Sequence, residues 1–202
     1  MCGRFVFLSD RDREDILTQM PVSLAGAPGT GQLEAKRGDI YPSQKAPVFV
    51  ETDNGPEMQM LKWGYENPFK PKQLLINARA ETAAEKRMFQ DDFRQRRCLI
   101  PATGFYEWDP DKRQFVFSDP DNLLYLGGLW RPERKNSESC FVILTREPDD
   151  TVSPVHNRMP VLIPASRTTE WLSDPDSAVP LIGDYSVPLS SVLANGQQSF
   201  LN

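Results

Sequence analysis

The chain has 202 residues, 39% of them hydrophobic and 25% charged, with a formal net charge of −5. That balance suits one globular domain spanning residues 1–202 around a single core, and the acidic total excludes a broadly basic nucleic-acid coat while leaving 23 Lys and Arg to form a local basic site. No apolar run approaches the roughly 20 residues that span a bilayer, no basic-then-apolar leader is visible, and the widely spaced Cys2, Cys98 and Cys140 fit reduced cytoplasmic thiols better than a disulfide framework or a cysteine zinc site.

In chain order, Phe5–Phe7 (FVF) reads as a short strand. Asp12–Met20 (DREDILTQM) predicts a short helix, with Asp residues near its start and Ile16, Leu17 and Met20 on one side. The polar, glycine-rich stretch Gly26–Gly38 reads as a loop. Strands follow over Pro47–Glu51 and Glu57–Trp63, rich in β-branched, aromatic and other apolar residues. Thr82–Phe93 predicts the best-defined helix, opened by a T-x-x-E capping box of Thr82 and Glu85. Further strands are expected over Cys98–Ala102, Gln114–Ser118, Leu123–Trp130 and Cys140–Thr145, and a third helix over Ser166–Leu172. Many short strands, few helices and no regular β-α alternation point to an α+β fold: one compact domain with a curved, barrel-like, mostly antiparallel β core and a few peripheral helices.

Several positions carry possible chemistry. Cys2 follows Met1 directly, and methionine aminopeptidases generally remove Met1 before a small residue. The product would be a 1,2-aminothiol, with an α-amine pKa of about 7.7–8 and a thiol pKa of about 8.5 before any perturbation. Such an amine attacks an aldehyde to form an imine, and the neighbouring thiol closes on the imine carbon to give a thiazolidine. The plain alternative is a small residue leading into the first strand. Glu107 sits among aromatics in GFYEW, where burial would raise its pKa toward neutrality; alternatively it faces solvent on an amphipathic strand. His156, the single histidine, lies in HNRMP beside Arg158, as a loop acid/base or a plain surface residue. In INARAET, an extended chain would project Asn77, Arg79 and Glu81 to one side. Arg4, Arg79 and Arg158 each lie near one of these groups in sequence and together would make a small cationic site. Trp63, Tyr65 and Phe69 in KWGYENPF could stack unpaired bases; for Trp63 a place in the core is favoured. No G-x-x-x-x-G-K-[ST] or G-x-G-x-x-G fingerprint is present, so no nucleotide cofactor is expected, and no metal site is indicated.

MCGRF, INARAET followed by RMF, RRCLIPATGFYEW, FVILT and HNRMPVLI occur here in the order in which the SOS response-associated peptidase (SRAP) family carries them. The resemblance runs from Cys2 to at least Trp171. Each motif is weak alone, and five in order are specific. It implies a compact α+β domain with a barrel-like antiparallel core that binds single-stranded DNA containing an abasic site. It also implies a thiazolidine crosslink through the mature N-terminal cysteine, with autoproteolytic and lyase-like activities also attributed to the family. On matching positions, Cys2 would be the nucleophile, Asn77 would lie by the crosslink, Glu107 would assist proton transfer during imine formation and His156 would assist sugar ring opening. Arg4, Arg79 and Arg158 would contact the DNA backbone, with Trp63 in the same DNA-binding group. The expected protein is a monomer, cytoplasmic and nucleoid-associated on DNA, with no cofactor and no membrane partner. Two departures stand out: ENPFKPKQ, with Phe69, replaces a family segment that carries a wedging tryptophan, and GDIYPSQ offers Asp39 where the family often has asparagine. The competing readings are a cysteine peptidase using Cys2 with His156 as base, and a non-enzymatic single-strand binding module.

Overall fold

The computed structural model describes residues 2–7, 20–30, 38–132, 138–174, 176, 178–183 and 187–194. Apart from its last residue, Met20, the helix expected over Asp12–Met20 lies outside these described residues, as do positions 31–37 of the expected loop.

Fourteen described strands and five short α-helices follow the chain. The strands are β1 (Phe5–Phe7), β2 (Gly38–Ile40), β3 (Lys45–Thr52), β4 (Gly55–Trp63), β5 (Tyr65–Glu66), β6 (Leu74–Leu75) and β7 (Asn77–Arg79). They continue with β8 (Arg97–Ala102), β9 (Gly104–Trp108), β10 (Gln114–Ser118), β11 (Leu124–Arg131), β12 (Cys140–Arg146), β13 (Met159–Pro160) and β14 (Ser190–Leu193). The helices are α1 (Val22–Ala25), α2 (Ala80–Ala83), α3 (Gln90–Gln95), α4 (Thr168–Ser173) and α5 (Ala178–Gly183).

One sheet has the order β14-β10-β9-β1-β2, antiparallel throughout. The larger sheet runs β11-β8-β3-β4-β12-β13, and a β11–β12 pairing closes its first five strands into a ring. Among the described residues only the pairings of β12 with β4 and β7 are parallel. The fold is thus α+β and mostly antiparallel, as the strand-rich sequence predicts. β8 (RCLIPA) is buried at every position, which explains the apolar run that follows Arg97: both its faces are covered. The two sheets meet through aromatics. Phe5 of β1 lies 5.2 Å from the ring of Trp63 in β4, and Trp63 stacks on Phe141 of β12.

Thr82–Phe93 departs from the single helix predicted. Pairing with β12 keeps the chain extended through Arg79, so helix α2 begins at Ala80 and Thr82 falls inside it. Thr82 therefore cannot serve as N-cap, and no capping box forms. The chain then turns and restarts as α3, which lets both Phe89 and Phe93 reach the core. Arg97 ties these helices down. Its buried guanidinium donates to the carbonyls of Phe93 and Arg94 at 2.9 and 3.0 Å, and to those of Trp171 and Leu172 at 2.7 and 3.2 Å. One cation thus satisfies carbonyls in the last turns of α3 and α4.

The pair Gly127–Gly128 lies within β11, inside the strand expected over Leu123–Trp130. A Cβ at Gly128 would meet Ile100 Cδ1 and the Val142 carbonyl oxygen, each at 2.7 Å. Gly128→Ala is expected to cost about 1–3 kcal/mol through overpacking, read as a lower urea midpoint at unchanged m-value. An unchanged midpoint would show that the ring has slack there.

Candidate functional site

The site forms where the N-terminal segment crosses the end of β9. β1 pairs with β9 through Phe5–Phe105, and the Tyr106 N–H donates to the Arg4 carbonyl at 2.9 Å. Cys2 is fully buried, and its thiol lies 3.8 Å from that same carbonyl. From the other side Asn77 Nδ2 donates to the Cys2 carbonyl at 2.8 Å. Asn77 Oδ1 is buried and has no hydrogen-bond partner among the described residues. Asn77 is placed by β7, which is held alongside Ile143 of β12.

Strand alternation in β9 sets the character of Glu107. Phe105 and Glu107 point inward, while Tyr106 and Trp108 occupy the other, half-buried face. Glu107 is 1% exposed, and burial pushes its carboxyl pKa up to about 7. Burial, and then the charge of Glu107, pushes the Cys2 thiol well above the ordinary thiol range. His156 brings Nδ1 to 3.8 Å from Glu107 Oε2, and the same nitrogen accepts from the Arg158 N–H at 3.0 Å. Burial lowers the His156 pKa. Burial thus drives Glu107 up and His156 down, so that near pH 7 the carboxyl is divided between its two forms while the imidazole favours its neutral one, a pairing suited to moving a proton.

The three arginines differ in their engagements. Arg79 is exposed at the end of β7. Arg158 grips Glu81 with two bonds of 2.7 and 2.8 Å and also donates to the Thr145 carbonyl, beside Arg79 in the β7–β12 register. Glu81 is therefore held back by Arg158 from helix α2 instead of projecting from a strand with Asn77 and Arg79. Arg4 pairs with Asp39 at 3.2 Å, bonds Tyr41 Oη at 2.9 Å, and lies 3.9 Å from the Tyr106 ring centroid.

Trp63 takes the core place favoured from the sequence and so stands apart from the expected DNA-binding group. It is fully buried, its indole N–H donates to the Ile76 carbonyl at 2.9 Å, and its faces are taken by Phe5 and Phe141. No base can stack on it. It supports Asn77 from behind, because Ile76 immediately precedes that residue. Tyr65 is likewise buried. Phe69 instead stands 85% exposed in the turn between β5 and β6, a turn held by Asn67 Oδ1, which accepts from the Phe69 and Lys70 N–H groups at 3.0 and 3.2 Å. Sequence reasoning missed the group around Arg4. Its signal was the pair Tyr106 and Trp108 on one strand face, together with Asp39. Among the described residues no group of three or more His, Cys, Asp or Glu could hold a metal ion, and no helix is long and apolar enough to cross a membrane.

The model of the SOS response associated peptidase (SRAP) family matches residues 1–189. The chain belongs to the SRAP family. Among its SRAP relatives is the abasic site processing protein YoqW of Bacillus subtilis, 30% identical over 201 residues, covering 92% of this chain and 88% of that protein. The abasic site processing protein YedK of Escherichia coli is 28% identical over 178 residues, covering 85% of this chain and 79% of that one. A Bordetella bronchiseptica protein of known structure superposes with a TM-score of 0.74 at 21% identity, over 95% of this SRAP chain and 99% of its own. At that identity the likeness concerns the fold alone.

Proposed function

We propose that this protein processes abasic sites by capturing them covalently in single-stranded DNA through the mature N-terminus at Cys2. The observation that carries this reading is the meeting of buried Cys2 and Glu107 with half-buried Asn77 and His156, from four distant chain segments. Loss of Met1 frees the Cys2 amine. His156 takes the anomeric hydroxyl proton of the closed abasic sugar and returns it to the ring oxygen as the bond from that oxygen to the anomeric carbon breaks, which leaves the open-chain aldehyde and a free ring hydroxyl. The amine adds to the carbonyl carbon, and protonated Glu107 delivers a proton to the departing hydroxyl, so that water leaves and an imine forms. The Cys2 sulfur then bonds the imine carbon while the thiol proton passes to nitrogen. One water is lost overall and nothing is oxidised or reduced. Asn77 holds the Cys2 carbonyl, and its buried Oδ1 accepts from a sugar hydroxyl. Arg79 takes a backbone phosphate, Arg158 keeps His156 and Glu81 in place beside it, and Phe69 stacks on a base at the rim.

A thiolate peptidase fits less well, because burial and Glu107 both oppose ionisation of the thiol. The protein acts as a monomer in the cytoplasm, at the nucleoid when engaged on DNA. The test is intact mass spectrometry of the Met1-free protein with an abasic single-stranded oligonucleotide. The expected product has the mass of protein plus DNA minus one water. Equal adduct formation with a strand lacking the lesion, or none with the abasic strand, overturns the proposal.

A further inference from the structure

Arg4 is enclosed by the protein to an unusual degree for a residue two positions from the reacting group. Its side chain is 14% exposed. Nη1 reaches both Asp39 Oδ2 at 3.2 Å and Tyr41 Oη at 2.9 Å. The guanidinium lies 3.9 Å from the ring centroid of Tyr106, 5.2 Å from that of Trp108 and 5.5 Å from that of Tyr41. The other Asp39 oxygen accepts from Tyr106 Oη at 2.9 Å, and Oδ2 also accepts from Tyr41 Oη at 3.3 Å. One carboxylate therefore gathers the cation and two of the three aromatic rings around it. An arginine held by an anion on one edge and by ring faces nearby loses these contacts if it swings out to a phosphate.

The same group governs the backbone. The β1 ladder begins at Phe5, so residues 2–4 lie outside it. They are held by the Asn77 bond to the Cys2 carbonyl, by the Tyr106 N–H on the Arg4 carbonyl, and by the Arg4 side chain. The Arg4 carbonyl is also the contact of the Cys2 thiol.

We propose that Asp39 makes Arg4 an internal anchor instead of a DNA contact: by holding the guanidinium against Tyr106 it fixes the backbone that carries Cys2 and withholds that charge from phosphate. Asp39 is thus a positioning residue acting through Arg4. The inference rests on the DNA-capture reading for its binding consequence, but its structural half stands without DNA.

The test measures affinity of the Met1-free protein for an undamaged single-stranded oligonucleotide across a potassium chloride series. Each phosphate contact on a single strand contributes about −0.7 to the slope of log K against log salt. Arg4→Met should keep the wild-type slope. Asp39→Asn, which keeps hydrogen-bonding atoms but removes the charge, should release Arg4 and steepen the slope by about 0.7. The double variant Asp39→Asn/Arg4→Met should return to the wild-type slope, because the gain passes through Arg4. A slope made shallower by about 0.7 in Arg4→Met, or an equal steepening in the double variant, overturns the proposal. If wild type binds no single strand, the DNA-capture reading fails, and amide hydrogen exchange of the DNA-free protein decides the anchor alone. Arg4→Met should then speed exchange in the peptide spanning residues 2–7 at least tenfold, with the remainder of the chain unchanged. Unaltered exchange there overturns it.

Discussion

Cys2→Ala is expected to lose the stable crosslink to abasic DNA entirely, while still forming an adduct that borohydride can trap. The two results separate the two halves of the aminothiol. Alanine at position 2 also permits removal of Met1 and leaves the α-amine, so imine formation survives. Without sulfur the imine carbon stays electrophilic and water reverses it. The measurement is a denaturing gel with and without reductant. An equally stable band from Cys2→Ala without reductant would dismiss the thiazolidine. The burial of Cys2 sharpens this expectation. Its thiol is held in the neutral form, so it is a poor free nucleophile, and it becomes effective only once the imine is placed beside it. Proximity then replaces ionisation as the source of reactivity.

Glu107→Gln should slow crosslinking by about 10²–10⁴-fold, the usual range for loss of a positioned acid or base. The pH dependence should change in a diagnostic way. In the wild type the rate rises with pH as the α-amine, with a pKa of about 8, loses its proton. It falls as Glu107, with a pKa near 7, loses the proton it must donate. Because the two requirements oppose each other, the profile is a narrow bell centred between them. The Gln variant should lose the falling limb and rise monotonically with the amine. A falling limb unchanged in position would assign it to another group.

The same carboxyl carries a stability prediction. Its folded pKa is about 7, above the reference value of 4.5, so its favourable contribution is complete below the unfolded value and is lost as pH rises through 7. Glu107→Gln should therefore gain stability relative to wild type between pH 5 and pH 8, by up to about 3 kcal/mol. Chemical denaturation at the two pH values reads it. A constant difference would mean that Glu107 keeps an ordinary pKa despite its burial.

Much of the fold was legible because the expected strands are rich in β-branched, aromatic and other apolar residues. Phe5–Phe7, Glu57–Trp63, Cys98–Ala102 and Cys140–Thr145 all lie within observed strands. Short partners such as β2, β7 and β13 were not, since two or three residues carry no period and become strands only when a neighbour's edge is presented to them. The split of Thr82–Phe93 has the same origin. Local propensity favours one helix there, but the β7 ladder fixes where it begins and the core claims Phe89.

By itself the sequence determined the chemistry on offer: an aminothiol latent behind Met1, a carboxylate among aromatics, a single histidine, and motifs specific enough to name a family. Those properties belong to residue types and their order, which need no coordinates. Only the tertiary structure decided what each group can do with its charge. Burial separated Glu107 from an ordinary surface glutamate, sent Trp63 into the core behind Asn77, and left Phe69 as the exposed aromatic of its segment. It also gave Arg4 and Arg158 carboxylate partners, Asp39 and Glu81, that lie 35 and 77 residues away. Desolvation and ion pairing depend on what surrounds a group in space, and contacts at those separations are set by strand register, which no local pattern records.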